Sequence, residues 1–181
     1  MEKYFLAILP PEEILEKAES IKQEIKANFG VKYALKSPAH ITLKMPFSYN
    51  ESKEDVLIQR LREFASAQDQ FVLKIGGIDT FGKRVIFLDV EENLHLIRLQ
   101  SELKRFCKTT LHLVDELSDR NFHPHMTLAF KDLKPNLFEE VLKFVQNLSF
   151  YSEFWVKELV LLKRVNHRWI VHQKVPILGS N

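Results

Sequence analysis

The sequence lacks the features that mark secreted and membrane proteins. Its 181 residues contain one cysteine, Cys107, which excludes an internal disulfide and a thiolate zinc site and favours a reducing compartment. The apolar run at residues 4–9 is too short for a signal-peptide core or a membrane span. Basic and acidic residues number 26 and 24, so no polybasic tether to nucleic acid or membrane is indicated. We therefore expect a cytoplasmic protein that does not bind membranes.

Sequence motifs for common cofactors are missing as well. The chain has no Walker motif, no glycine-rich dinucleotide loop and no clustered carboxylate pair for magnesium, so we expect no cofactor. Hydrophobic residues make up 45% and charged residues 28%, which is typical of a globular protein and excludes a disordered chain. At roughly 150 residues per domain, this length predicts one domain over residues 1–181.

Helical and strand patterns alternate along the chain in an order that occurs twice. Residues 10–90 and 92–177 each show the order α-β-α-β-β, with a strand at 4–9 added in front. Short turns between the paired strands favour an α+β fold of two lobes. In this fold two small antiparallel or mixed sheets, related by a pseudo-twofold axis, line a central cleft, and the helices pack outside. A parallel βαβ protein is the alternative.

The limits of several strands are predicted from glycine and from apolar patterning. Strands at 71–75 and 84–90 are separated by the breakers Gly76, Gly77 and Gly82. The last two strands are predicted at 154–163 and 168–176.

One short motif occurs at equivalent positions in both halves. Residues 40–43 read His-Ile-Thr-Leu and residues 125–128 read His-Met-Thr-Leu, whereas composition predicts roughly 0.03 chance occurrences of this pattern. Because side chains alternate along a strand, each histidine shares a face with its threonine, and Lys44 is predicted on the same face as the first pair. The apolar residues between them face the helices. If the lobes are related by a pseudo-twofold axis, the two polar faces meet across the cleft.

This arrangement suits phosphodiester chemistry without a metal. Imidazole titrates near neutral pH, so one of His40 and His125 can accept a proton from attacking water while the other protonates the leaving oxygen. Thr42 and Thr127 can donate their hydroxyls to non-bridging phosphate oxygens. Lys44 can add positive charge where the transition state gathers negative charge. The residues alone do not decide which histidine is the acid.

Other interpretations of these residues stay open. His123 and His125 are two positions apart, and with His40 they could ligate zinc. The same pocket could belong to a non-catalytic module that binds RNA ends or nucleotides. Phe87 and Trp169 occupy equivalent places in the two halves and could stack on a base or pack in the core.

The paired motifs resemble those of the 2H phosphoesterase superfamily. The group they are most similar to is the bacterial 2′-5′ RNA ligase-like proteins, also described as RNA 2′,3′-cyclic phosphodiesterases, and residues 81–87 resemble the segment between the motifs in that family. The resemblance covers most of the chain and implies a bilobal α+β fold with both motifs in the cleft. It also implies His40 as proton donor, His125 as proton acceptor, and Thr42 and Thr127 as residues that hold the phosphate.

The resemblance also implies a reaction and a class of substrate. The expected reaction opens a 2′,3′-cyclic phosphate at an RNA end to a 2′-phosphate, and the reverse, ATP-independent reaction joins RNA ends through a 2′-5′ bond. The expected partner is RNA with a 2′,3′-cyclic phosphate end or a small cyclic nucleotide. Relatives that act on other cyclic nucleotides or on 2′-5′ oligonucleotides leave those substrates as alternatives. Because the duplicated chain supplies both sides of its cleft, we expect a monomer.

Overall fold

The computed structural model describes residues 1–179, which contain eight β-strands and five α-helices. The strands are β1 (Glu2–Ile8), β2 (Ile41–Tyr49), β3 (Phe71–Phe81), β4 (Val85–Val90), β5 (His125–Ala129), β6 (Tyr151–Val156), β7 (Glu158–Val165) and β8 (Arg168–Pro176). The helices are α1 (Glu12–Phe29), α2 (Glu54–Ser66), α3 (Leu94–Thr109), α4 (Leu117–Arg120) and α5 (Phe138–Gln146). A 3-10 turn at Tyr33–Lys36 precedes β2.

All eight strands form one curled antiparallel sheet, in the order β6-β3-β4-β5-β2-β1-β7-β8. At its centre, β5 and β2 meet at a single registered pair, Ile41 with Met126. We call the four strands β6-β3-β4-β5 the His125 half-sheet and the four strands β2-β1-β7-β8 the His40 half-sheet. The predicted α+β class is confirmed. Where the repeat predicts two small sheets, the structure has one eight-stranded sheet whose half-sheets are joined at a single pair.

The two half-sheets are not built from the two halves of the sequence. The His40 half-sheet combines β1 and β2 with β7 and β8, because β1 pairs with β7, for example Ala7 with Val160. The repeated order predicts that the strands at 84–90 and 168–176 are equivalent, yet β4 lies beside β5 whereas β8 lies at the edge of the sheet. The division into 10–90 and 92–177 therefore does not describe how the half-sheets are assembled.

Two predicted strands also have different limits in the structure. The strand predicted at 154–163 is two strands separated at Lys157; β6 pairs with β3 and β7 pairs with β1. Strand β3 continues through Gly76 and Gly77 with an irregularity in its pairing, instead of ending before them. A Cβ atom at Gly76 would lie 2.4 Å from the Tyr151 ring on β6, so a side chain here would have to displace this exposed ring. Long-range contacts of this kind leave no local signal in the sequence.

The two faces of the sheet have different coverings. One face packs against the helices and holds the main core, in which Leu6, Ile41 and Met126 are fully buried. Helix α1 contacts β5 of the His125 half-sheet, and helix α3 contacts β2 of the His40 half-sheet. The other face carries a smaller apolar cluster around Phe5 and Val160. None of the helices in residues 1–179 has the length and hydrophobicity that crossing a membrane requires.

Candidate active site

The two repeated motifs meet where the half-sheets join. Ile41 pairs with Met126, and both side chains are completely buried on the helix side. Neighbouring residues on a strand point to the other face, so the histidines and threonines on either side of this pair share the face away from the helices. Continuing the antiparallel register by one residue sets His40 against Thr127 and Thr42 against His125. The structure therefore brings these four predicted site residues together around the pseudo-twofold axis.

Lys44 does not join them, and its predicted role as a phosphate ligand is wrong. Ala7 pairs with Thr42, but the next residue, Leu6, pairs with Lys44, so Leu43 is an extra residue on β2. This β-bulge reverses the alternation, because Leu6 faces the helix-side core and its partner Lys44 faces the same way. Only 1% of the Lys44 side chain is exposed.

The Lys44 ammonium is bound instead in a buried ion pair with Asp119. Its Nζ donates to the Asp119 carboxylate and, at 2.9 Å, to the carbonyl oxygen of Val114. Asp119 also accepts hydrogen bonds from the backbone N–H groups of Met45, at 2.8 Å, and of Glu116, at 2.9 Å. This pair fixes the segment before β5 to β2 and holds the Lys44 charge inside the core, away from the motif histidines.

Both motif histidines are oriented by the same backbone device. Nδ1 of His40 lies 2.6 Å from the carbonyl oxygen of Pro38, and Nδ1 of His125 lies 2.7 Å from that of His123. A carbonyl can only accept, so Nδ1 carries the proton in each ring. Nε2 is then the free nitrogen of each imidazole, able to accept a proton when the ring is neutral and to donate one when it is charged.

Burial keeps both imidazoles neutral at neutral pH. Burial lowers the pKa of His40 to about 4, the hydrogen bond to Pro38 opposes this shift, and positive charge on Lys22 and His125 lowers the pKa further. Burial also lowers the pKa of His125, an effect opposed by its bond to the His123 carbonyl and by Asp89.

Aromatic rings line the cleft on both sides of the histidine pair. The Phe5 ring centroid is 4.8 Å from that of His40, and the Phe81 centroid is 4.8 Å from that of His125. Phe87 is fully buried beneath Phe81, with their centroids 4.4 Å apart, so Phe87 packs in the structure and offers no face to a base. Trp169 packs edge-on against Phe5 at 4.8 Å.

Sequence reasoning missed several side chains of this region. Phe81 contacts both His123, at 5.1 Å between centroids, and His125, because β3 and β4 form a hairpin that brings it over β5. Phe81 lies 44 positions before His125 in the sequence. Long-range strand pairing brings the two residues together, so no local sequence pattern predicts their contact. Tyr33 and Lys131 also meet near the motifs, through contact between the 3-10 turn and β5.

The histidine spacing that could indicate zinc is not matched by a cluster of metal-ligating side chains within residues 1–179. His123 and His125 have ring centroids 6.4 Å apart, and Nδ1 of His125 is bound to a carbonyl. Across residues 1–179, no three or more His, Cys, Asp or Glu side chains are grouped so that they could hold a metal ion.

Comparison with known proteins identifies the family. A model of the 2′-5′ RNA ligase superfamily matches residues 10–168. A Bacillus cytotoxicus protein named "putative phosphoesterase" is 29% identical over 174 residues, which cover 94% of each chain. The crystal structure of TT0787 of Thermus thermophilus has a TM-score of 0.69 and 18% identity over the whole of both chains.

A further solved structure, E. coli LigT in its apo form, has a TM-score of 0.65 and 19% identity, covering 99% of this chain and 98% of that one. Other structures of E. coli LigT hold 3′-AMP and phosphate. The family match spans both motifs, and the solved structures share the fold. The chain therefore belongs to the 2′-5′ RNA ligase superfamily, among the 2H phosphoesterases, and this membership supports a phosphoesterase activity.

Proposed function

We propose that the protein is a metal-independent phosphodiesterase that opens 2′,3′-cyclic phosphates at RNA ends to 2′-phosphates. The observation that supports this most directly is the Ile41–Met126 pair, which sets the two His-x-Thr motifs around one point. Each half-sheet contributes one imidazole and one hydroxyl, which are the groups that an in-line displacement at phosphorus needs on its two sides. One chain supplies both, so a monomer suffices.

The proposed reaction balances with water as the only co-reactant. Nε2 of one histidine accepts a proton from water as the water oxygen bonds to phosphorus. The bond from phosphorus to the ribose 3′ oxygen breaks, and Nε2 of the other histidine donates its proton to that oxygen. The product carries a phosphate on the 2′ oxygen. With an RNA 5′-hydroxyl in place of water as the attacking group, the same forward steps form a 2′-5′ bond, and the 3′ oxygen again leaves with the proton from the second histidine.

The family resemblance assigns His40 as the donor and His125 as the acceptor. His40 is neutral in the free protein at neutral pH, because its pKa is about 4. An anionic phosphodiester placed against this ring raises its pKa, since a neighbouring negative charge favours imidazolium. Substrate binding would therefore bring the proton that the leaving oxygen requires. Thr42 and Thr127 would donate hydrogen bonds to the non-bridging oxygens as charge accumulates there.

The substrate follows from the chemistry of the site and from relatives. E. coli LigT has been crystallised with 3′-AMP, which supports a nucleotide in the cleft. RNA ending in a 2′,3′-cyclic phosphate is the proposed substrate. Small cyclic nucleotides, which carry the same reacting group on a shorter molecule, are also expected to react.

The test is hydrolysis of cytidine 2′,3′-cyclic monophosphate and of a cyclic-phosphate oligoribonucleotide in EDTA. We expect turnover to the 2′-phosphate, identified by ³¹P NMR. His40→Ala and His125→Ala should each lower kcat by about 10²- to 10⁴-fold, because each removes one proton transfer. Thr42→Val and Thr127→Val should lower it less. His95→Ala, an exposed histidine on α3, is the matched control and should leave turnover unchanged.

Three outcomes would contradict the proposal. An active His40→Ala/His125→Ala double variant would exclude two-histidine catalysis. Binding of the oligonucleotide without any product in EDTA would favour the non-catalytic RNA-end module, and activity that EDTA abolishes would point to a metalloenzyme.

A further inference from the structure

A cluster of cations surrounds the half-buried ring of Tyr33. The Nζ atoms of Lys36 and Lys131 lie 4.5 and 4.6 Å from the centroid of this ring, so the two ammonium groups are at most twice that distance apart. Lys131 also donates a hydrogen bond of 3.0 Å to the Tyr33 hydroxyl. That bond and the charges of Lys131, Lys36 and Arg164 lower the pKa of Tyr33, against the effect of burial. Arg164 lies on β7 and pairs with Trp169, the neighbour of Arg168 on β8.

Arg168 ties the tip of the β7–β8 hairpin to this cluster. Its guanidinium donates a 2.9 Å hydrogen bond to the carbonyl oxygen of Leu35, inside the 3-10 turn. Lys36, Lys131, Arg164 and Arg168 therefore gather at one place although three separate segments supply them. We call these four residues the cation cluster.

The charge of the cation cluster is not neutralised by the protein. Within residues 1–179, none of its four members forms an ion pair with a carboxylate at 4.0 Å or less. Asp132 follows Lys131 in the sequence, and its Oδ2 accepts the backbone N–H groups of Lys32 and Tyr33 at 2.8 and 2.9 Å. Its buried Oδ1 has no hydrogen-bond partner among the described residues. Cations of like sign held together without a counterion favour the binding of an anion.

The cation cluster lies next to the candidate active site but is separate from it. The 3-10 turn ends four residues before His40, and Lys131 follows Thr127 by four residues. His40 and Thr127 face each other in the register of β2 and β5, so both connections lead away from the same end of the motif pair. Lys131 lies two residues beyond the end of β5 and Lys36 lies in the 3-10 turn, so both lysines are outside the strands that carry the motifs, and a phosphate that they hold is a different group from one held between the histidines.

We propose that the cation cluster is a second phosphate subsite, which holds a backbone phosphate upstream of the cyclic end in an RNA strand. This inference rests on the proposed function and specifies its substrate as a polynucleotide end in preference to a mononucleotide. The Tyr33 ring holds Lys36 and Lys131 in place. Arg168 of the β7–β8 hairpin, in the His40 half-sheet, closes the subsite. A cyclic mononucleotide has no upstream phosphate and leaves the subsite empty.

The experiment compares cytidine 2′,3′-cyclic monophosphate with a tetraribonucleotide that ends in the same cyclic group, both in EDTA. We expect a lower KM for the tetranucleotide. Lys36→Ala/Lys131→Ala should raise the KM of the tetranucleotide about tenfold or more while kcat and KM for the mononucleotide stay unchanged. The control Lys104→Ala/Lys108→Ala removes the same charge from α3, on the helix side, and should change neither substrate.

Salt dependence gives a second readout that a structural role would not alter. For single strands, the slope of log K against log salt concentration is about −0.7 per phosphate contacted. For the tetranucleotide, the slope of log(kcat/KM) against log salt concentration should therefore be less steep by about 0.7 or more in Lys36→Ala/Lys131→Ala than in the wild-type protein.

The outcomes separate the two proposals. Equal KM values for the two substrates, with no effect of Lys36→Ala/Lys131→Ala, would overturn the subsite and leave the phosphodiesterase intact. An equal rise in KM for both substrates would place the lysines at the reacting phosphate and also overturn it. If the wild-type protein turned over neither substrate, the proposed function would fail and the subsite with it.

Discussion

Replacing Lys44 with Met should destabilise the protein strongly and leave its chemistry almost unchanged. The side chains of Lys44 and Asp119 are 1% and 0% exposed, so the change leaves a carboxylate buried without its cation. Removing one partner of such a pair costs about 3–5 kcal/mol. For a chain of this length, about 2–4 °C is lost per kcal/mol, which predicts a Tm lower by roughly 6–20 °C.

The assay combines urea unfolding, followed by circular dichroism, with turnover at a temperature where the variant is folded. The double variant Lys44→Met/Asp119→Asn should recover part of the lost free energy of unfolding, because no unpaired charge then remains inside. Asn keeps an oxygen that can accept from the N–H of Met45 or of Glu116.

The result that would refute this reasoning is the opposite pattern. If Lys44→Met kept the wild-type urea midpoint but lost turnover, Lys44 would act on the substrate and the β-bulge would not place it as described. Such a result would restore the role that strand alternation alone predicts.

Two further predictions concern the pH dependence that burial of the histidines creates. Catalysis needs one protonated and one neutral imidazole, and burial lowers the pKa of both His40 and His125. We therefore expect kcat/KM to rise as pH falls from 8 towards 6 and to decline again near pH 4. A profile of kcat/KM that keeps rising up to pH 9 would contradict this prediction. His40 has a pKa of about 4 when folded and an ordinary value of 6.5, so the unfolded chain binds more protons between these values and the free energy of unfolding should fall by up to about 3 kcal/mol as pH drops from 6.5 to 4. His40→Gln should lack this part of the loss in urea unfolding at pH 7 and pH 4.5, whereas His95→Gln should retain it.

Local pattern was sufficient to predict most of the elements and the four side chains at the junction. Alternation along β2 and β5 predicted which residues share a face, and Gly30, with φ of 73°, ends α1 as the sequence indicates. Both signals involve residues near one another in the chain, where periodicity and turn chemistry act directly.

What the sequence could not predict depends on long-range pairing. The bulge that turns Lys44 away exists only because β1 pairs with β2 in that register, and Asp119, its partner, lies 75 positions further along. The split at Lys157 likewise follows from two different neighbours, β3 and β1. Tyr33 and Lys131, around which the cation cluster forms, are 98 positions apart and meet through tertiary contact alone.

The pairing of β1 with β7 has a consequence for how the chain reaches this structure. Ala7 lies against Val160, so most of the chain must be made or collapsed before the His40 half-sheet has its third strand. The strands of the His125 half-sheet come from residues 71–156 and have shorter loops to close. Since long loops slow folding, we expect the His125 half-sheet to form first and the cleft to become competent only when the last hairpin docks.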